Sequence, residues 1–178
     1  MSSAALEPND APSAANEQWS VAQLEKNGKP LVVRYRSERP QGVETAAFSF
    51  LLSATWAYQP DEFGLPADAE MERMDKFEDA LAAALETSKT AYLMVILTGN
   101  GERDWLWYTT GEEAAMRQVN QALKGHKSYP IQFSVQKDRG WKAYSQFEKG
   151  SGASSSAGGL LGVFQQAFAN LAGAFCGK

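Results

Sequence analysis

The apolar positions of this chain switch repeatedly between two periods. Gln18–Leu24 alternates weakly, Lys26-Asn27-Gly28-Lys29 carries an Asn-Gly turn signal, and Leu31–Arg36 is a β-branched and aromatic run. Together they predict a β-hairpin. In Ala46–Tyr58, Phe48, Phe50, Leu52, Trp56 and Tyr58 are bulky, whereas Ser49, Ser53 and Thr55 are small or polar. Period two over that length predicts a long strand with one heavily apolar face. Gln59–Pro66 is full of chain breakers and reads as a loop. From Ala67 to Glu86 the period becomes helical, with Met71, Met74, Phe77, Leu81, Ala84 and Leu85 on one side. Glu70, Glu72, Arg73, Lys76 and Asp79 take the other side, and an acidic first turn suits the helix dipole.

Thr90–Thr98 is apolar on both faces and bounded by turn signals, the pattern of a well-buried strand. Gly99-Asn100-Gly101 turns the chain, and Asp104–Thr109 runs back as an aromatic strand. Thr110-Gly111-Glu112-Glu113 has the form of a capping box, which predicts a helix starting just after Thr110. Ala115, Met116, Val119 and Leu123 form its inner stripe, and Gly125 stops it. Pro130–Gln136 is a last strand, with proline at its start, where a missing N–H is tolerated. Trp141, Tyr144 and Phe147, three apart, predict a short helical cap. After the first hairpin the order is β-α-β-β-α-β. This predicts an α+β, ferredoxin-like split βαβ fold: an antiparallel sheet with two helices on one face and the Ala46–Tyr58 and Asp104–Thr109 strands central.

The ends differ from the body. Residues 1–17 are rich in Ala, Ser, Asn and Pro, without the basic and apolar regions of a signal peptide. They read as a disordered lead-in, and a cytoplasmic protein follows as the expectation. Residues 18–149 form the α+β domain, and 150–159 (GSGASSSAGG) a flexible linker. In 160–178, Leu160, Leu161, Phe164, Phe168, Leu171 and Phe175 share an arc of about 100° on a helix, opposite Gln165, Gln166 and Asn170. That amphipathic tail is too short, and too polar on one face, for stable membrane insertion. It reads first as docking on its own domain or on a sister chain, then on a foreign partner, and last on a membrane interface.

Charge and composition remove several chemistries. Seventeen Lys+Arg against twenty-one Asp+Glu give a formal charge of -4, which argues against a surface built to hold nucleic-acid phosphates. One cysteine, Cys176, and one histidine, His126, exclude an intrachain disulfide, a cysteine-based zinc site and a histidine-pair mechanism. His126 reads as an exposed loop histidine. No nucleophile elbow, phosphate-binding loop or His-Glu-x-x-His motif occurs. Asp61/Glu62 and Glu112/Glu113 are adjacent carboxylates of a loop and a helix start, not a separated acid–base pair. No catalytic residue, metal or cofactor is expected.

Aromatics on the two central strands, Phe48, Phe50, Trp56, Trp105, Trp107 and Tyr108, raise the question of single-stranded RNA. Neither strand has the basic, glycine-containing pattern of an RNA-recognition sheet, so cover by the hairpin, the Trp141–Phe147 segment or the tail is the preferred reading. Five tryptophans are many for this length, and Trp, Tyr and Arg are the usual anchors of interfaces. A binding edge of Arg103, Trp105, Trp107, Trp141 and Tyr144, together with the tail stripe, is the expected site. The alternative is a small-ligand or enzyme pocket lined by these aromatics, with Arg103 or Asp138 as polar handle.

The run Gly99–Tyr108 (GNGERDWLWY), Gly64-Leu65-Pro66 before the long helix, and Asp138-Arg139-Gly140-Trp141-Lys142-Ala143-Tyr144 resemble the bacterial domain of unknown function 695 family. The resemblance covers about Gln18 to Lys149 and neither tail. It implies a small α+β domain, sometimes beside a domain similar to the regulator of ribonuclease E activity, a protein inhibitor. It supplies no catalytic residues. The expectation is a non-enzymatic protein-binding or regulatory domain, acting on a protein partner or self-associating through the tail helix.

Overall fold

The structure, a computed structural model, describes residues 19–26 and 28–150. The expected lead-in, most of the linker, the amphipathic tail and Cys176 lie outside the described residues. Strands β1 (Trp19–Lys26) and β2 (Lys29–Arg36) form the predicted hairpin, paired from Lys26↔Lys29 to Trp19↔Arg36, with Gly28 in the left-handed region (φ 75). There follow β3 (Phe50–Ala57), helix α1 (Asp68–Thr87), β4 (Ala91–Gly99), β5 (Glu102–Thr109), α2 (Glu112–Ala122), β6 (Ile131–Lys137) and α3 (Lys142–Gly150). The six strands make one antiparallel sheet in the order β1-β2-β4-β5-β3-β6. Strands β3 and β5 are neighbours in it, paired from Phe50↔Thr109 to Ala57↔Glu102.

Alternation along the strands divides the interior into two cores, one on each face of the sheet. Leu52, Ala54, Trp56, Leu93, Ile96, Trp105 and Trp107 pack against Met74, Phe77, Leu81 and Leu85 of α1 and Ala115 and Val119 of α2. The opposite face presents Leu31, Val33, Tyr35, Leu51, Val95, Leu97, Leu106 and Tyr108, with Trp141, Tyr144 and Phe147 of the α3 segment in the same core. Strand β4 supplies both cores, which explains its continuous apolar run. Gly99 ends it where no side chain fits, because a Cβ there would lie 2.6 Å from the Pro30 carbonyl oxygen.

Two local expectations are corrected. The Ala46–Tyr58 strand begins only at Phe50, because Ala47 and Phe48 both donate backbone hydrogen bonds to the Glu44 carbonyl and form a turn. Thr110 does not cap α2. Gly111 is the N-cap, with no side-chain hydrogen bond, while Thr109 Oγ1 donates to the Thr90 carbonyl and accepts from Gly111 N–H. The neighbouring hydroxyl is thus tied to the β4 start, and the helix begins without a capping box.

Candidate functional site

Arg103, Trp105 and Trp107 follow one another at period two on β5 and face α1. Glu78 of α1 is the hub that Arg103 and Trp105 meet, while Trp107 Nε1 is buried without a hydrogen-bond partner. Glu78 Oε2 accepts from Arg103 Nη2 at 2.9 Å and from Trp105 Nε1 at 2.9 Å, and Glu78 Oε1 accepts from Arg34 Nη2. Asp75 lies 3.5 Å from Arg103 Nη1. Further along the same seam, Arg36 forks onto Glu86 at 2.7 and 2.8 Å and donates from Nε to the Leu93 carbonyl. Trp19 lies under the Arg34 and Arg36 guanidinia, 5.0 and 5.4 Å from its ring centre. An ionic seam therefore joins α1 to β2 and β5, with buried charges paired in the way burial requires. Arg103 is 5% exposed and Trp105 0%, so this end of the expected edge is internal cement.

The other two residues of that edge lie on the opposite face. Trp141 stacks on Tyr108 at 4.2 Å with an interplanar angle of 6°, and its Nε1 donates to the Phe48 carbonyl. Tyr144 donates its hydroxyl to the Arg36 carbonyl at 2.9 Å. Asp138 caps α3: it accepts from Lys142 N–H, Ala143 N–H and the Tyr108 hydroxyl, and that hydroxyl in turn accepts from Tyr144 N–H. Arg39 holds the outer side by a two-point bond to Glu148 and covers the Trp141 ring at 5.7 Å. Trp141 and Tyr144 are buried as well. The structure thus brings Arg103, Trp105 and Trp107 together under α1, and separately joins Trp141 to Tyr144 under the Arg39 loop. The two groups are divided by the sheet and form no common surface. Asp138 and Arg103, the polar handles of the alternative pocket, are engaged in these same contacts.

The sheet aromatics have a related placement. Trp56, Trp105 and Phe77 form a buried cluster on the helix-covered face, with ring separations of 5.0–6.4 Å, and Tyr129 joins it. Tyr108 lies beneath Trp141. Trp56, Phe77, Trp105, Trp107 and Tyr108 are buried, whereas Phe48, Phe50 and Tyr129 are half-buried. Burial pushes the hydroxyl pKa of Tyr58 and of Tyr144 up to about 12, and burial with the Asp138 hydrogen bond pushes that of Tyr108 higher still. These phenols are therefore protonated donors near neutral pH. His126 is exposed in its turn, with Nδ1 3.0 Å from the Tyr129 hydroxyl. Among the described residues no group of three or more His, Cys, Asp or Glu is placed to hold a metal ion. No helix among them is long and apolar enough to cross a membrane.

One surface the sequence did not single out is the outer edge of β1. It closes the sheet, and among the described residues no strand lies beyond it. A two-residue turn makes Lys26 and Lys29 a hydrogen-bonded pair, so the alternating Leu24, Ala22 and Ser20 bond inward to β2. The N–H and C=O groups of Trp19, Val21, Gln23 and Glu25 then point outward. Trp19–Leu24 carries no charge, and Val21 is 68% exposed, a large apolar side chain on an open edge. Glu78 was also missed. At 100° per residue it falls between Leu85 and Met71, inside the apolar arc of α1, and that was the available signal.

A family model described as a family of unknown function (DUF695) matches residues 17–147. The chain belongs to the DUF695 family. The match takes in every strand and both long helices, so the two cores, the ionic seam and the β1 edge are all features of this chain's DUF695 region. No curated protein and no solved structure matches the chain.

Proposed function

We propose that this DUF695 domain is a non-enzymatic, cytoplasmic protein-binding domain with a regulatory role, and that its partner adds an extended segment along β1. The observation that carries this reading is the uncharged edge ladder of Trp19, Val21 and Gln23 with Val21 exposed. Natural sheets usually guard such an edge with charges, proline or a bulge, whereas the first six residues of β1, Trp19–Leu24, carry no charge and no proline and pair with β2 without a bulge. Strand addition draws affinity from backbone hydrogen bonds and specificity from alternate side chains. Here those alternate side chains would meet Trp19 and Val21 beside Arg34. The order β4-β5-β3-β6, with α1 and α2 against one face, supports a ferredoxin-like core to which the β1–β2 hairpin adds this edge.

The test is selection of binding peptides from a random display library on the full chain. The expected peptides are extended, slow the exchange of the Trp19, Val21, Gln23 and Glu25 amides, and lose at least tenfold in affinity on Val21→Pro. That substitution removes an outward N–H and leaves the inward ladder to β2 intact. Peptides that bind Val21→Pro as tightly as the parent chain would overturn the reading.

A further inference from the structure

The outer edge of β1 is complementary to itself. Its outward backbone groups belong to Trp19, Val21, Gln23 and Glu25, whose side chains share the α1 face, while Ser20, Ala22 and Leu24 share the other. When two copies of one strand pair antiparallel about a two-fold axis, directly opposite residues lie on the same face. One such register engages all four outward residues: Trp19 opposite Glu25 of the second copy, and Val21 opposite its Gln23. Ala22 then meets Ala22 on the axis, as a pair without mutual hydrogen bonds. That is the closest approach in an antiparallel ladder, and alanine is the smallest side chain of the strand. The other pairs also fit. Ser20 faces Leu24, the exposed Val21 is covered by the Gln23 stem, and no like charges meet. Glu25, itself exposed, comes beside Trp19, whose ring lies 5.0 Å from the Arg34 guanidinium. The Arg34 side chain is 40% exposed, so the carboxylate of each copy faces an accessible cation of the other.

We propose that β1 pairs with β1 of a second copy about a two-fold axis at Ala22, and that this dimer keeps the edge closed until another extended segment displaces it. The inference rests on the reading of β1 as a strand-accepting edge and adds the regulation of that site. The two six-stranded sheets become one continuous sheet, with every outward N–H and C=O of Trp19, Val21, Gln23 and Glu25 paired across the axis. The contact is isologous, so it closes at two copies and builds no filament. Self-pairing therefore answers the hazard of an edge that carries no guard over Trp19–Leu24. An interface one strand wide is small beside that of an obligate dimer, so it is reversible, and a segment with better-fitting side chains replaces it.

Sedimentation equilibrium of the full chain over a dilution series is expected to show monomer and dimer in exchange. Val21→Pro should raise the dissociation constant at least tenfold, because it removes an outward N–H. Register is read by cross-linking in a Cys176→Ser chain, which has no other cysteine. Ala22→Cys should oxidise to a disulfide-linked dimer, since the two Cα atoms at the axis lie about 4.5 Å apart. Gln23→Cys should not, since its two copies lie roughly 8–9 Å apart, beyond disulfide reach. A chain monomeric at every concentration, with no Ala22→Cys cross-link, would overturn the dimer. Display-selected peptides that still bound β1 would then leave the edge reading standing, and loss of both would remove it too. A dimer that Val21→Pro leaves unchanged, or one joined through Gln23→Cys, would also overturn the Ala22 axis. Peptides selected on the edge should shift the parent chain toward monomer. Peptides that slow the β1 amides without dissociating the dimer would overturn the proposed regulation.

Discussion

The two faces of this sheet are closed by different means. Under α1 and α2 the contact is broad and aromatic: Trp56, Phe77 and Trp105 interlock, and Glu78 ties the border to β2 and β5. Under α3 the contact is narrow and directional, with a stacked Trp141–Tyr108 pair, a side-chain cap from Asp138 and a two-point Arg39–Glu148 bond. Long amphipathic helices hold by area and need few specific bonds. A nine-residue helix buries too little for that, so its position depends on a handful of hydrogen bonds. The first face should therefore resist local opening, and the second should open in part before the whole domain unfolds.

Substitutions can break that comparison, and the largest effect is expected in the aromatic core. Phe77→Ala leaves a cavity among Trp56, Trp105 and Tyr129 and should cost about 3–5 kcal/mol in chemical denaturation. A loss below about 1 kcal/mol would show that this face is not the stable one. Glu78→Gln takes from the buried Arg103 its carboxylate at 2.9 Å, leaves the largely exposed Asp75 at 3.5 Å, and should cost about 3 kcal/mol. Adding Arg103→Met should recover much of that loss, because the uncompensated charge is then gone. Equal stability of the single and double variants would remove Glu78 as the hub.

Smaller effects sharpen the contrast. Asp138→Ala should cost about 1–2 kcal/mol, with faster amide exchange confined to α3 while α1 keeps its protection. Tyr144→Phe removes the bond to the Arg36 carbonyl and should cost about 1 kcal/mol at neutral pH. Its pH dependence is more telling. The Tyr144 hydroxyl is pushed up to about 12 by burial from an ordinary 10.0, so the unfolded chain releases this proton first. Stability from keeping it neutral is complete below pH about 10 and is lost as pH rises through about 12. Melting curves from pH 8 to 12 should fall less steeply for Tyr144→Phe than for the parent chain. Last, Thr110→Ala should change stability by less than about 0.5 kcal/mol, because that hydroxyl caps nothing. A loss above about 1 kcal/mol would restore the capping box.

Where the period was strong, the elements followed it. The helical stripe of Met74, Phe77, Leu81 and Leu85 and the Trp141–Tyr144–Phe147 spacing each predicted both an element and its buried side, whereas the alternation of Leu52 and Trp56 predicted β3 and one of its faces but not the burial of Leu51 and Ser53 on the other. Partition of the aromatics between the two faces was less legible. Arg103, Trp105 and Trp107 gave their shared face through period two, but nothing local relates that face to Trp141, which reaches the sheet through a left-handed turn at Gly140 and Trp141 (φ 78 and 57). Charged and aromatic residues near one another in sequence looked like a surface, whereas burial with partners supplied from α1 made them core. The β1 edge escaped notice for another reason: exposure of a strand's outer backbone depends on sheet order, which no single strand encodes.

The separation of the tryptophans between layers also makes the molecule its own optical reporter. Trp56 and Trp105, with ring centres 6.4 Å apart, form an exchanging pair of chromophores on one side of the sheet, while Trp141 is stacked on a phenol on the other. The coupled pair is expected to contribute a circular-dichroism couplet, and loosening of the long-helix layer should remove it. Trp141 emission changes when α3 lifts. The couplet thus follows the long-helix layer, and the difference in total emission between the parent chain and Trp141→Phe isolates the share that follows α3.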